Sequence, residues 1–424
     1  MYNIRMRHIF VSMFIFSLFV GSWLIYHPEQ ASKVYSFIGD LKSQIAAVII
    51  SHTPKSVIEI KAKYARNGSF FGEKEDKVKI LIVPGHEPDY GGAEYANIKE
   101  REMVVDLANN LKSFIQGNDR YEVYVTRNKY SWENTFSDYF TNNWNDIVAW
   151  TKENKKEMEH LERIGEYHPV VAEVKHNVAP PNVAWRLFGI SKWSNENDID
   201  IIIHIHFNDH PGHSKYSPGW YSGFAIYVPE DQFFNSTTTK ALANSVFNRL
   251  KKFNAVSNMP GEMAGIVESP DLIAVGAYNS INAPSMLIEY GYIYEPQFTN
   301  ENLRDLAIKD LAFQTYLGLQ DFFDDKNPIN NNVTYDTLIM PHVWDNKVTE
   351  AKEVYSLQTA LVVDGVYPPV NKSLNDCPRT GVIGSCTKSA IEAFQKKRGI
   401  SGENGELGPK TLQELNRLYS NRAI

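Results

Sequence analysis

Histidine and glutamate side chains in separated segments of this 424-residue chain match the ligand types of a metal site. His86 and Glu102 lie in one segment, His204 and His206 are two residues apart in another, and Glu289 stands in an apolar run. Two imidazole nitrogens and one carboxylate oxygen leave the fourth position of a tetrahedral Zn²⁺ ion open to water or a substrate carbonyl, and a further carboxylate can carry a proton. This combination predicts a zinc hydrolase that cleaves an amide bond.

The two histidine segments are predicted to meet at one edge of a sheet. The β-branched run at 78–83 stops at Pro84-Gly85, which places His86 in the loop at the carboxyl end of a strand. His204 and His206 share one face of a later strand, and His206 is nearer its carboxyl end, where open α/β sheets bind ligands. We therefore predict His206 as a ligand and His204 as a supporting or buried polar residue, with the ligating ring nitrogens left open.

The candidate carboxylates differ in their predicted surroundings. Apolar residues from 102 to 115 recur at helical spacing, so Glu102 is expected on the first turn of a helix that faces the His86 loop. Glu100 is a competing oxygen ligand, but Glu102 fits the helical phase better. Glu289 lies in an apolar strand, where a carboxylate has to be paired, bound to a metal or protonated. It is a catalytic candidate, with a structural salt bridge as the alternative.

Strand and helix patterns alternate along most of the chain. This alternation predicts an α/β fold, with a mostly parallel twisted sheet flanked by helices. One long segment, 129–181, is rich in aromatic residues and separates two strands. We interpret it either as a lid or substrate wall, or as a helical cap whose rings fill a local core. The predicted strands cover 78–83, 121–127, 199–207, 223–228 and 285–292, and the predicted helices cover 102–115, 236–253 and 302–324.

The N-terminus and the cysteines indicate export. Basic residues precede an apolar run from 9 to 26, close to the roughly 20 residues that span a bilayer, and no small-residue cleavage motif follows. We predict a signal anchor rather than a cleaved signal peptide in residues 1–30, with the rest of the chain extracytoplasmic. Cys377 and Cys386 are predicted to form a local disulfide, with free thiols as the alternative.

A second, smaller domain is predicted at the C-terminal end. It contains the pattern Gly-x-x-Gly-x-x-Thr twice, at 381–387 and 405–411, each copy leading into a helix. In each copy the second glycine is predicted to make a tight turn and the threonine to cap the helix. The predicted regions are a signal anchor at 1–30, a stalk or juxtamembrane helix at 31–75, the α/β domain at 76–324, a linker at 325–349 and the second domain at 350–424.

Two groups of motifs resemble known families. Residues 78 to 322 carry Pro84-Gly85-His86, Glu102 ahead of Val104-Val105-Asp106-Leu107-Ala108, Val125-Thr126-Arg127, His206-Phe207-Asn208 and the run from Pro284 to Tyr292. In these motifs the segment resembles a zinc-dependent N-acetylmuramoyl-L-alanine amidase of the Amidase_3 type. Residues 351 to 417 resemble a helical peptidoglycan-binding domain, through Leu357-Gln358, the two glycine-threonine patterns and Ala393-Phe394-Gln395.

The amidase resemblance implies Zn²⁺ as the cofactor and assigns roles to particular residues. It implies His86, Glu102 and His206 as zinc ligands and Glu289 as the catalytic glutamate. Glu100, Arg127, His204 and Asn208 are candidates for supporting residues or substrate contacts. The family usually has a glycine pair directly after the first histidine. Here four residues, 87–90, come before Gly91-Gly92, and segment 129–181 is longer than the usual connection.

The expected partners are peptidoglycan and, through the N-terminal segment, the membrane. A formal net charge of −7 lacks the basic excess that nucleic-acid binding requires, so nucleic acid is excluded. No activator or division protein is identified by the sequence. The predicted function is cleavage of the amide between N-acetylmuramic acid and L-alanine. A zinc peptidase that acts on the stem peptide and a non-catalytic cell-wall anchor are the alternatives.

Overall fold

The computed structural model describes residues 54–66, 76–210, 212–323, 343–345 and 348–419. The predicted signal anchor at 1–30 lies outside the described residues, as do most of the predicted stalk and linker. Within the described ranges, every helix is either too short or too polar to cross a membrane.

The larger domain is built on a six-stranded sheet, accompanied by a separate two-stranded hairpin. The strands are β1 (Val78–Pro84), β2 (Glu94–Tyr95), β3 (Ile98–Lys99), β4 (Tyr121–Val125), β5 (Ile201–Asn208), β6 (Ala225–Pro229), β7 (Ile266–Ser269) and β8 (Ser285–Tyr292). In the order β4-β1-β5-β8-β6-β7, all neighbours run parallel except β6 and β8. The predicted mostly parallel sheet is confirmed, whereas β7 and the β2–β3 hairpin were not predicted because they are too short to show a periodic pattern.

Helices cover both faces of this sheet. In the larger domain they are α1 (Val57–Arg66), α2 (Glu100–Gln116), α3 (Asn134–Arg163), α4 (Pro181–Glu196), α5 (Ser236–Phe253), α6 (Pro296–Thr299) and α7 (Glu301–Phe322). Helices α2, α5 and α7 pack together over one face, where Ile80, Ile203 and Ile288 enter the main core. Helices α3 and α4 pack over the other face, against Leu81 and Ile202. The alternation along each strand therefore supplies two separate apolar layers.

Strand register brings the predicted site segments to one edge. Strands β1, β5 and β8 are adjacent and parallel, so their carboxyl ends coincide. Pro84 pairs with Ile205, and His206 pairs with Glu289. The loop that carries His86, the end of β5 and the catalytic candidate on β8 consequently lie next to one another.

The aromatic insert 129–181 divides into two parts. In α3, Phe136 and Phe140 are buried and join a core with Trp193 of α4, so this part is a helical layer whose rings fill a local core. The stretch from 164 to 180 then runs back across the domain, where Val174 packs beside β6 and the ring of His176 lies 4.6 Å from that of Tyr227. The first part corresponds to the predicted cap. The second part lies along β6, and its role as a substrate wall stays a prediction.

The end of the predicted stalk belongs to the folded domain. Ile60 and Tyr64 of α1 are buried in the main core. Lys55 and Lys63 both pair with the buried Asp200, at 2.6 Å and 2.7 Å. Residues 54–66, with helix α1 at Val57–Arg66, are therefore packed on the α/β domain, and the predicted boundary at 76 lies too far along the chain.

The C-terminal domain is helical, as predicted. It contains α8 (Ala351–Val363), α9 (Ser385–Arg398) and α10 (Pro409–Tyr419) around a core of its own. Trp344, predicted to lie in the linker, is buried in that core. The predicted disulfide between Cys377 and Cys386 is present.

The two glycine-threonine patterns form equivalent contacts. The side-chain oxygen of Gln358 accepts from the backbone of Gly381, and its amide donates to Thr387. Gln395 repeats both contacts with Gly405 and Thr411. The first glycine of each copy, not the second, has positive φ, and the threonines bind these glutamines rather than cap the helices. The prediction of a repeat was therefore right, but the predicted roles of the glycine and threonine were wrong.

The two domains share a buried polar contact, which we call the seam. It joins Phe253, Asn254, Val256 and Asp310 of the larger domain to Tyr355, Asn375 and Arg379 of the smaller one. Arg379 and Asp310 form an ion pair at 2.8 Å, and their side chains are 1% and 0% exposed. The Tyr355 hydroxyl also donates to Asp310, and its ring is part of the main core of the larger domain.

Arg379→Leu is expected to lower the free energy of unfolding by about 3–5 kcal/mol, because it leaves Asp310 buried without its cationic partner. The double variant Asp310→Leu/Arg379→Leu should recover much of that loss, since no charge then remains buried. Denaturant unfolding of both variants checks this. Arg417→Leu, which breaks an exposed pair with Glu414, is the control and should change little. Equal stability of Arg379→Leu and the parent would contradict a buried ion pair at the seam.

Candidate metal centre

His86 is held in place by the loop after β1. Its backbone has φ of 68°, and the preceding Gly85 lies so close to His206 that a Cβ atom there would be 2.3 Å from that ring. The guanidinium of Arg127 donates to the carbonyl oxygen of Gly85. Glycine is required because any side chain would displace the histidine of the neighbouring strand. The loop thus sets two imidazole rings 4.8 Å apart, edge to face.

The carboxylate between the two rings belongs to Glu100. Its Oε1 lies 2.7 Å from Nε2 of His86 and 3.2 Å from Nδ1 of His206. The backbone amides of Ala93 and Phe207 donate to its two oxygens. Burial raises the pKa of Glu100, but His86 and His206 outweigh it and hold that pKa well below its usual value. Glu100 is therefore an ionised, fixed oxygen donor.

The prediction of Glu102 as the oxygen ligand is wrong in this geometry. Helix α2 begins at Glu100, two residues before the predicted start, and residues two apart on a helix are rotated by about 200° around its axis. The side chain of Glu102 is accordingly 49% exposed and lies 3.4 Å from Lys99. The competing candidate, Glu100, occupies the site instead.

The donor set fits a divalent metal ion. The donor atoms of His86, Glu100 and His206 lie within 4.8 Å of one another. Among the described residues, these three form the group of side chains that could hold a metal ion. Nε2 of His86 is buried, yet within the described part of the chain it has no hydrogen-bond partner of acceptable geometry, despite its closeness to Glu100. Two imidazoles and one carboxylate are the ligand types of catalytic zinc sites with one open position. The residues present therefore suit the predicted cofactor.

Glu289 lies beside this cluster on the adjacent strand. One of its carboxylate oxygens, Oε2, is buried and has no hydrogen-bond partner among the described residues. Burial, followed by the nearby carboxylates of Glu100 and Glu262, raises the pKa of Glu289 well above its usual value. The alternative of a structural salt bridge is not supported, because no ion pair of Glu289 occurs within the described ranges. Such a carboxyl group can hold and release a proton.

A second buried glutamate, Glu262, was missed by the sequence analysis. It is 1% exposed and accepts hydrogen bonds from Asn208, Ser257, Tyr227 and Tyr292. The predicted supporting role of Asn208 is thus a contact with Glu262, at 2.8 Å, at the end of β5. The signal for Glu262 in the sequence is weak, because it lies in a loop between Gly261 and Met263 without any strand or helix period.

The other predicted supporting residues lie beneath the site. His204 is 3% exposed, and burial together with His206 lowers its pKa to about 3, so it is a neutral residue at neutral pH. Arg127 is 1% exposed and donates to the backbone oxygens of Gly85, Arg101 and Asn128. Both therefore position the ligand-bearing segments, and Arg127 is too deeply buried to contact a substrate.

Comparison with protein-family models identifies the family of this chain. A family model described as N-acetylmuramoyl-L-alanine amidase matches residues 80–321, more than half of the chain. The chain belongs to this family. A second model, described as a putative peptidoglycan binding domain, matches residues 350–415. The protein is thus an amidase with a C-terminal peptidoglycan-binding domain, as the motifs predicted.

Solved amidase structures resemble this amidase in part. An N-acetylmuramoyl-L-alanine amidase from Clostridium difficile 630 is 17% identical, covers 59% of this chain and 99% of its own, and has a TM-score of 0.36. The CwlD amidase from Clostridioides difficile, solved in complex with the GerS lipoprotein, is 14% identical, with coverage of 58% and 99% and a TM-score of 0.38. The catalytic domain of CwlV from Bacillus (Paenibacillus) polymyxa is 15% identical, with coverage of 58% and 99% and a TM-score of 0.35. Comparison with curated protein sequences finds no match.

The four residues 87–90, which depart from the family pattern, lie next to the cluster of His86, Glu100 and His206. The inserted Glu87 is buried and is bound by Arg186, at 2.8 Å, and by the indole of Trp132, at 3.2 Å. The displaced pair Gly91-Gly92 still lies against the site, since a Cβ atom at Gly92 would be 3.0 Å from His86. The longer loop therefore keeps Gly92 against His86 and is tied to the aromatic insert through Glu87.

Proposed function

We propose that this amidase hydrolyses the amide bond between N-acetylmuramic acid and L-alanine of peptidoglycan with a Zn²⁺ ion held by His86, Glu100 and His206. The observation that carries the proposal is the convergence of these three donors beside Glu289, whose Oε2 is buried and has no hydrogen-bond partner among the described residues. Bound zinc supplies Lewis-acid polarisation of the scissile carbonyl and lowers the pKa of water. The peptidoglycan-binding domain supports the choice of substrate.

Glu289 has the properties of the proton carrier in this reaction. It accepts a proton from the attacking water, whose oxygen forms the new bond to the carbonyl carbon. It then delivers that proton to the leaving nitrogen as the carbon–nitrogen bond breaks, which yields a lactyl carboxylate and a free L-alanine amine. A raised pKa suits a group that must hold a proton between these two steps. Glu262 keeps Asn208 oriented at the end of β5, next to this path.

Incubation of the full chain with purified peptidoglycan tests the proposal. The expected products, identified by mass spectrometry, are stem peptides with a free N-terminal L-alanine and glycan without peptide. A chelator should stop their release and added Zn²⁺ should restore it. Release of residues from the carboxyl end of the stem would instead indicate a zinc peptidase. Wall binding without any released product would indicate a non-catalytic anchor.

We also propose that the enzyme acts outside the cytoplasmic membrane and is attached by residues 1–30. The apolar run at 9–26 and the disulfide between Cys377 and Cys386 support this location, because disulfides persist in oxidising compartments. Protease added to intact cells or spheroplasts distinguishes it from a cytoplasmic enzyme, which would be protected.

A further inference from the structure

An open cleft lies where the two domains meet, and none of the metal-centre residues His86, Glu100 and His206 lines it. It is shallow and largely open to solvent, with a volume of about 560 Å³. Lys251, Lys252 and Val256 of the larger domain line one side, and Leu374 and Asn375 of the smaller domain line the other. Neither domain alone provides both walls.

The seam fixes the two walls of this cleft relative to each other. The amide of Asn375, on the cleft, donates to the backbone oxygen of Val256 at 2.6 Å. Four residues further along the chain, Arg379 is locked into the buried pair with Asp310 and donates to the backbone of Phe253. The disulfide between Cys377 and Cys386 closes the loop that carries Arg379, and Asn375 lies two residues before that loop. The cleft is therefore a built feature and not a gap between independent modules.

The cleft carries positive charge beside apolar side chains. The ammonium groups of Lys251 and Lys252 lie 4.9 Å and 5.3 Å from the ring centroids of Phe247 and Phe253. Within the described residues, neither ammonium has a carboxylate within 4 Å, unlike Lys240 on the same helix, which pairs with Asp231 and Glu268. Val256 and Leu374 provide apolar surface, one on each wall. This arrangement favours a small acidic ligand with aliphatic side chains.

We propose that the cleft binds the acidic stem peptide of peptidoglycan, at a site distinct from the metal centre. The choice of ligand rests on the proposed function, whereas the cleft and its charge do not. Carboxylates of the peptide pair with Lys251 and Lys252, and alanine methyl groups pack on Leu374 and Val256. A neighbouring stem peptide that is bound here holds the peptidoglycan in one orientation while another stem peptide is cleaved.

Titration calorimetry of the full chain carrying Glu289→Gln tests the cleft without turnover. The probe is N-acetyl-L-alanyl-γ-D-glutamyl-meso-diaminopimelate, which has three carboxylates and one ammonium group. We expect Lys251→Glu/Lys252→Glu to weaken its binding about tenfold or more, because two attractive contacts become repulsive. The probe with all carboxylates amidated should bind the parent as weakly. Lys155→Glu/Lys156→Glu, an exposed lysine pair on α3, is the matched control and should leave binding unchanged.

Two results would overturn the proposal. One is equal affinity of the Lys251→Glu/Lys252→Glu variant and its parent. The other is an equal loss in the α3 control, which would indicate general attraction to a positive surface. A further variant, Glu100→Ala, separates this test from the proposed function. If Glu100→Ala abolishes probe binding and Lys251→Glu/Lys252→Glu does not, the probe binds at the metal centre and the cleft site is refuted. Lysine-dependent binding by a protein that cleaves no peptidoglycan would leave the cleft site standing and refute the proposed function.

Discussion

Glu289→Gln is expected to lower turnover of peptidoglycan about 10²–10⁴-fold while the metal stays bound. The amide has the same shape as the carboxyl group but cannot accept the proton of the attacking water. Because Glu289 lies outside the cluster of His86, Glu100 and His206, its replacement removes none of the donors. Peptide release measured by mass spectrometry and metal content measured by elemental analysis give the two readouts.

Glu268→Gln is the control for this substitution. Glu268 lies on β7 of the same sheet, its side chain is 44% exposed, and it pairs with Lys240. This variant should retain parental turnover. A Glu289→Gln enzyme that works at the parental rate would rule out Glu289 as the proton carrier, and loss of metal from it would make Glu289 a ligand instead.

Glu100→Ala is expected to remove both the bound metal and the activity, whereas Glu102→Ala should keep both. Glu100 offers the carboxylate oxygen that faces His86 and His206, and its loss leaves two protein ligands where catalytic zinc sites use three. Glu102 points into solvent toward Lys99. Zinc content after dialysis, followed by the peptidoglycan digest, compares the two variants directly.

The pair of variants is informative because the two glutamates lie on the same turn of α2. Any general effect on the start of this helix should appear in both. A normal metal content in Glu100→Ala, or an equal loss in Glu102→Ala, would contradict the ligand set proposed here. Thermal unfolding of each variant separates loss of metal from loss of fold.

The sequence was sufficient for the elements with strong periodicity. Strand β8 and helix α5 have the predicted bounds, because long apolar periods with clear ends specify them. The choice between Glu100 and Glu102 failed for the opposite reason. A helix start is set by local contacts, here the mutual hydrogen bonds of Glu100 with Ala93, which periodicity does not reveal. An error of two residues at this point turns the ligand away from the site.

Other features depend on contacts between distant segments and leave no local pattern. Glu262 is held near the end of β5 by hydrogen bonds from Asn208, Tyr227 and Tyr292, which lie on three different strands. Asp310 occupies a helix whose period does not show that a neighbouring domain covers it. Both residues become recognisable once tertiary packing is known, since a buried carboxyl group requires hydrogen-bond or charged partners.

The participation of Tyr355 in the core of the larger domain matters for anyone who shortens this protein. A fragment that stops between 324 and 342 lacks α8, so it uncovers the part of α7 around Asp310 and loses an aromatic ring from its interior. Newly bared apolar surface promotes self-association. An excised catalytic fragment should therefore be less soluble than the intact molecule, and a soluble reagent is better obtained by trimming ahead of Pro54.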